Sequence, residues 1–164
     1  MLDALAEAIY LDSSAVVKRY VLEKGTDSIN FLYNKCDTKE ISISFSFWNI
    51  GEVLGALDQY RKRKWLTDRQ YENAARTFAS ESLRLMILDV LDPIPVDSSI
   101  LSDCWKLIEA YHIYQSDALQ IVSCRNSKAS FLLSADRSLI QVANQEGIEA
   151  IDIENFNDVK RIAS

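Results

Sequence analysis

Proline and glycine are scarce, two and four in 164 residues, and no stretch is dominated by Ser, Gly or Pro. That leaves no room for a flexible linker, a collagen-like repeat or a low-complexity tail. No apolar run approaches the ~20 residues of a membrane span. The opening Met1-Leu2-Asp3-Ala4-Leu5-Ala6-Glu7 carries acids where a secretory leader needs a basic start, so a cytoplasmic protein without a membrane partner is expected. Histidine occurs once, as His112, and Cys36, Cys104 and Cys124 lack CxxC or Cys/His spacing. The simplest account is reduced, buried thiols rather than a zinc centre or a disulfide framework. Basic charge is also short: 18 Lys and Arg face 24 Asp and Glu, a net charge of −6. No global field therefore attracts an RNA backbone, and any nucleic-acid contact has to be local.

What is present is apolar and periodic. Hydrophobic residues make up 48% of the chain, enough for one continuous core, and a single domain spanning 1–164 is expected. Residues 8–11 form a short apolar run closed by Asp12; Val16, Val17 and Tyr20 then follow at helical spacing up to Gly25, so a strand feeds a helix. Residues 41–44 alternate as a strand does, and Phe47, Ile50, Leu54, Leu57 and Tyr60 recur at helical spacing from 46 to about 64, which places Glu52 inside a helix. Thr67-Asp68-Arg69-Gln70 has the form of a capping box opening a long helix towards Leu88. Pro95-Val96-Asp97 reads as a short strand before a helix over 98–111, and a further helix follows Asp117. A strand over 131–134, a helix over 138–146 stopped by Gly147 and a strand over 148–153 complete the pattern. Strands alternating with helices predict an α/β fold, a mostly parallel sheet with helices on both faces. Sites in such sheets form beyond the carboxyl ends of the strands, where Asp12 and Asp136 stand.

Four acids occupy notable positions: Asp12 after the first strand, Glu52 within a helix, Asp117 at a helix start and Asp136 after a late strand. Taken singly, Asp12, Asp117 and Asp136 also suit helix capping, and Glu52 an exposed helical position.

The segment Tyr10-Leu11-Asp12-Ser13-Ser14-Ala15-Val16-Val17-Lys18-Arg19-Tyr20, continuing to Glu23, Gly25 and Thr26, resembles the opening of the PIN domain family, especially the VapC-like toxins of toxin-antitoxin pairs. Asn49-Ile50-Gly51-Glu52-Val53 is similar to that family's second acidic motif, Ser116-Asp117-Ala118-Leu119-Gln120-Ile121-Val122 to its third and Leu133-Ser134-Ala135-Asp136-Arg137-Ser138-Leu139 to its fourth. No single motif is specific; four in order are. Two departures stand out, the acidic charge balance and Gln120, which replaces a His common among members.

The resemblance implies a three-layer PIN-like fold with a five-stranded parallel sheet of order 3-2-1-4-5, which makes the first and fourth strands neighbours. It implies a metal-dependent endoribonuclease whose metal set is Asp12, Glu52 and Asp117, with Asp136 binding directly or through water. Physical chemistry points the same way. Two carboxylates ~4 Å apart repel by about 4 kcal/mol at an effective dielectric near ~20, so four in one crevice need a cation among them. Oxygen-only ligands favour Mg2+ or Mn2+, which can activate water and stabilise a leaving oxygen during RNA hydrolysis. Ser14 and Ser134 are expected to orient carboxylates.

Lys18, Arg19 and the run Arg61-Lys62-Arg63-Lys64 are candidates to contact the RNA, although cations at a helix end also complement its dipole. Trp48, Trp65 and Trp105 are expected in the core or an interface. Resemblance further implies a small antitoxin lying over the crevice and a homodimer formed through helices, and one side of the long helix, with Tyr71, Ala75, Phe78 and Leu85, is a candidate surface. The competing reading is a PIN-fold module that binds RNA or protein without cutting. A HAD-type phosphatase would need a second Asp where Ser14 stands, and a receiver domain an acidic pair and a lysine that are missing.

Overall fold

The computed structural model describes residues 7–164, so the acid-bearing opening and the first six residues of the expected domain lie outside the described residues. Five strands, β1 (Glu7–Leu11), β2 (Ile41–Ser46), β3 (Leu91–Ile94), β4 (Phe131–Ser134) and β5 (Glu149–Asp152), form one sheet. All pairings are parallel and the order is β3-β2-β1-β4-β5. The α/β class and the 3-2-1-4-5 order are as expected.

Among the described residues eight helices connect and cover the strands: α1 (Ser13–Val17), α2 (Thr26–Asp37), α3 (Phe47–Lys62), α4 (Asp68–Ile87), α5 (Ser98–Tyr111), α6 (Gln115–Ser127), α7 (Arg137–Gln145) and α8 (Phe156–Ile162). Side chains alternate across a strand, and that alternation divides the core in two. Ile9, Leu11, Ile43, Phe45, Leu133 and Ile151 pack beneath α1, α2, α3, α4 and α8. Tyr10, Leu132 and Ala150 pack beneath α5, α6 and α7. Each fully buried Leu or Ile contributes about 2 kcal/mol, so this two-sided burial dominates the fold.

Local chemistry sets the element ends. The expected capping box opens α4: the Thr67 hydroxyl accepts from the Gln70 N–H at 3.2 Å, and the Thr67 N–H donates to Gln70 Oε1 at 2.8 Å. Gly25 starts α2 with φ of +93°, a conformation that favours glycine, and a Cβ there would also press on Lys18 Cδ at 2.9 Å.

Three elements depart from the sequence reading. α1 is only one turn and a separate α2 follows Gly25, with Ile29, Leu32, Tyr33 and Cys36 buried along one stripe. The third strand lies at Leu91–Ile94, before residues 95–97, and contains Pro93. Proline is tolerated there because β3 is an edge strand paired on one side only. α8 was not expected either. The three cysteines are free and buried. Trp48, Trp65 and Trp105 are all exposed rather than in the core.

Candidate active site

Asp12 sits where β1 stops. Its backbone N–H extends the sheet by donating to the Leu133 carbonyl at 3.1 Å. Its side chain then caps α1, Oδ1 accepting from the Ala15 N–H at 2.9 Å. The turn holds the carboxylate at the sheet's carboxyl edge with 4% of the residue exposed.

Two serines aim at it. Ser14 donates to Oδ1 at 2.8 Å and Oδ2 at 3.0 Å, and Ser134, the last residue of β4, donates to Oδ2 at 2.8 Å. Each serine oxygen in turn accepts a backbone N–H from the β4–α7 turn: Ala135 to Ser14 at 2.8 Å and Asp136 to Ser134 at 2.9 Å. An ionised carboxylate only accepts, so both hydroxyls donate to Asp12 while their oxygens take up the backbone N–H groups; the two serine oxygens lie 3.3 Å apart. Burial pushes the Asp12 carboxyl up to about 6; the bonds from Ser14, Ser134 and Ala15 oppose that rise and the nearby Glu52 charge adds to it.

Glu52 is placed by the helix that carries it. One turn earlier on α3, Asn49 is buried, donates to the Leu11 carbonyl at 2.9 Å and accepts from the Ser46 hydroxyl at 2.7 Å. This pins the start of α3 to the end of β1, beside Asp12. Glu52 itself accepts from Gln120 Nε2 at 2.9 Å.

Asp117 lies in the first turn of α6 and does not cap it; Tyr114 holds the cap position and contributes no side-chain bond. Burial raises the Asp117 carboxyl, and the charge of Asp136 raises it further. Asp136 caps α7, Oδ1 accepting from the Ser138 N–H at 2.8 Å, the Ser138 hydroxyl at 2.7 Å and the Leu139 N–H at 3.3 Å. Burial works upward at Asp136, but those bonds together outweigh it and hold its carboxyl below the usual range.

Glu52 is near enough to raise the Asp12 carboxyl, and Asp136 near enough to raise that of Asp117. Among the described residues none of the four makes an ion pair with a basic side chain, whereas Glu81, Glu146 and Glu154 all do. Nor, among the described residues, do three or more His, Cys, Asp or Glu stand close enough to hold one ion. An all-oxygen set with no basic partner suits Mg2+ or Mn2+, and Mg2+ takes only one or two carboxylates directly while keeping its waters. The residues fit a hydrated ion of that kind rather than a closed protein cage.

A cleft of about 330 Å3 is lined by Ser13 and Ser14, which follow Asp12 in the chain, and by Lys18, Glu23, Ala56 and Tyr60 among others, though by none of the four acids. Ala56 and Tyr60 continue the α3 face that carries Glu52 and lead to the basic run. The candidate cations differ in availability. Lys18 is buried, its ammonium 3.2 Å from Glu154 and 3.5 Å from Glu23. Arg19 is bound to Glu81 at 2.6 Å and to Asn30 at 2.7 Å. Arg61 and Lys62 pair with Asp58 at 2.5 and 3.1 Å, and Arg61 also covers the Tyr71 ring. Among the described residues Arg63 and Lys64 have no acidic partner, and Arg63 lies 5.1 Å from the Trp65 ring centre. The charge open to a phosphate is therefore at 63 and 64.

No family model matches the sequence, and no curated protein matches it either. Solved structures do match. PAE2754 from Pyrobaculum aerophilum superposes with a TM-score of 0.66 at 17% identity, over 99% of this chain and 94% of that one. VapC20 of Mycobacterium tuberculosis, described as a sarcin-ricin loop cleaving toxin, gives 0.58 at 15% identity, over 81% of this chain and 93% of its own. The chain has the PIN-like, VapC-like fold, five parallel strands in the order 3-2-1-4-5 between helical layers. At this identity the likeness is one of fold.

Proposed function

We propose that the chain is a Mg2+- or Mn2+-dependent endoribonuclease, the toxin of a VapC-like toxin-antitoxin pair acting in the cytoplasm. The observation that carries this is the buried Asp12 carboxylate, aimed at by two serines, charged against Glu52 and without a basic partner among the described residues. Asp12 and Glu52 would contact the ion directly, with Asp117 and Asp136 reaching it through the waters it keeps. When bound, such an ion activates water and neutralises charge on the phosphodiester. Ser14 and Ser134 orient Asp12 and draw its proton affinity down, so that it is ionised near neutral pH. Arg63 and Lys64 steady the RNA backbone beyond the Tyr60 end of the cleft. The likeness to VapC20 supports this reading at the level of fold.

The antitoxin and homodimer belong to the same proposal. Phe78 and Leu85 of α4 are buried in the chain's own core, so the expected side of that helix is partly used internally. Between α3 and α4, however, Phe47, Ile50, Leu54, Leu83 and Met86 line an apolar groove of about 360 Å3, suited to a short helix from a partner. Among the described residues no helix is long and apolar enough to cross a membrane.

The rival, a non-catalytic RNA- or protein-binding module, draws on the spacing of the acids, no three of which are within reach of one ion among the described residues. Incubating the protein with structured and unstructured RNAs, with Mg2+ and with a chelator, separates the two. Cleavage that requires the metal and is absent from Asp12→Asn supports the nuclease; RNA left intact under every condition supports the module.

A further inference from the structure

Gln120 is a buried polar residue of α6, 3% exposed and one turn beyond Asp117, hence on the same helix face. It bridges β1 and α3, which Asn49 also joins through the Leu11 carbonyl. Its Nε2 donates to Glu52 Oε2 at 2.9 Å, and its Oε1 accepts from the Tyr10 hydroxyl at 2.9 Å. Tyr10, on β1, is fully buried.

The direction of both bonds is forced. An ionised carboxylate only accepts, so the amide must turn its NH2 towards Glu52, and its carbonyl then faces Tyr10. That carbonyl has no hydrogen to give, so the buried Tyr10 hydroxyl donates to it. The chain Tyr10, Gln120, Glu52 therefore has one proton arrangement and one orientation. Among the described residues Gln120 is the only side chain bonded to Glu52. A neutral donor also suits the position: a lysine would cancel the Glu52 charge and compete with a cation, while a second carboxylate would add repulsion.

We infer that Gln120, anchored by Tyr10, is a positioning residue that fixes Glu52 by its Oε2 and leaves Oε1 turned towards the crevice for a divalent cation. This rests on the metal-binding reading above. Replacing Gln120 alone would strand the buried Tyr10 hydroxyl and cost stability, so the informative variant is Tyr10→Phe with Gln120→Leu, which removes both polar partners together and should be nearly neutral for folding. Mn2+ affinity is measured by calorimetry at neutral pH on the unsubstituted chain, the double variant, Tyr10→Phe and Glu52→Gln, alongside urea unfolding without metal.

The expected result is a loss of about 10-fold in Mn2+ affinity for the double variant, at an unchanged unfolding midpoint. Tyr10→Phe, which keeps the amide, should lose less, and Glu52→Gln should lose more. A crystal structure of the double variant should show Glu52 in another rotamer. Unchanged Mn2+ affinity in the double variant, with Glu52→Gln still impaired, overturns the positioning role and leaves the metal site standing. No Mn2+ binding by the unsubstituted chain overturns both.

Discussion

Ser134 donates its hydroxyl proton to Asp12 Oδ2 at 2.8 Å from the neighbouring strand, while its oxygen accepts the Asp136 N–H at 2.9 Å. One side chain thereby ties the acid after β1 to the backbone of the acid after β4. The parallel pairing of those two strands makes the link possible.

Removing that link has a readable consequence. Ser134→Ala takes one donor from Asp12 and leaves the Asp136 N–H without its acceptor, a cost of about 1–2 kcal/mol in stability. With one stabilising bond fewer, the Asp12 carboxyl rises further. RNA cleavage should fall by roughly 10–100-fold near pH ~6 and by less near pH ~8, where Asp12 is ionised regardless. A pH–rate profile checks this, and an unshifted acid limb would contradict it.

Asp12 also governs the stability of the metal-free protein. Its carboxyl moves from 3.8 to about 6 on folding, through burial first. A carboxyl raised in the folded state stabilises the fold below its unfolded pKa and loses that contribution as pH rises through the folded one. Metal-free stability should therefore fall between pH ~4 and ~7, by on the order of 3 kcal/mol. Asp12→Asn keeps a good capping residue, so it should abolish that fall and unfold at higher temperature than the parent at neutral pH, while cutting no RNA. Thermal melts across this pH range test the sign directly.

Much of this was legible in the sequence. The acids could be read because strand ends and helix periodicity place them locally, and the sheet order came with the motifs. Asn49 and Gln120 could not, because their partners lie 38, 68 and 110 residues away and no local pattern marks an amide as a bridge. α2 was readable after all, since Ile29, Leu32, Tyr33 and Cys36 have helical spacing, but Gly25 reads as a stop when it is in fact a start. Pro93 hid β3 because proline argues against a strand unless the strand is known to be an edge. The basic residues divide for a similar reason: the nearer acids of Lys18 and Arg19, Glu154 after β5 and Glu81 on α4, come from elements that their own neighbourhood does not announce.

That division predicts different phenotypes. Arg63→Ala with Lys64→Ala should weaken RNA binding and reduce the slope of log affinity against log salt by about 1–2, without changing stability. Lys18→Met should instead destabilise the fold by about 2 kcal/mol, because Glu154 and Glu23 lose their shared partner in a partly buried site. Filter binding at several salt concentrations, paired with urea unfolding, distinguishes the two. An unchanged salt slope in the first variant would remove residues 63 and 64 from the RNA path.

Mn2+ should stabilise the folded chain by linkage, by about 2.7 kcal/mol at ~100 times its dissociation constant, and should do so more at pH ~8 than at pH ~5, where Asp12 holds a proton. Equal Mn2+ stabilisation of the parent and of Asp12→Asn would mean that the ion binds elsewhere.

The most direct measurement is anomalous diffraction from a crystal soaked in MnCl2 near pH ~8. The account predicts a manganese peak at the carboxyl edge of the sheet, bonded to Asp12 and to Glu52, with waters completing its shell. A well-ordered site with those carboxylates in place and no anomalous peak beside them would contradict it.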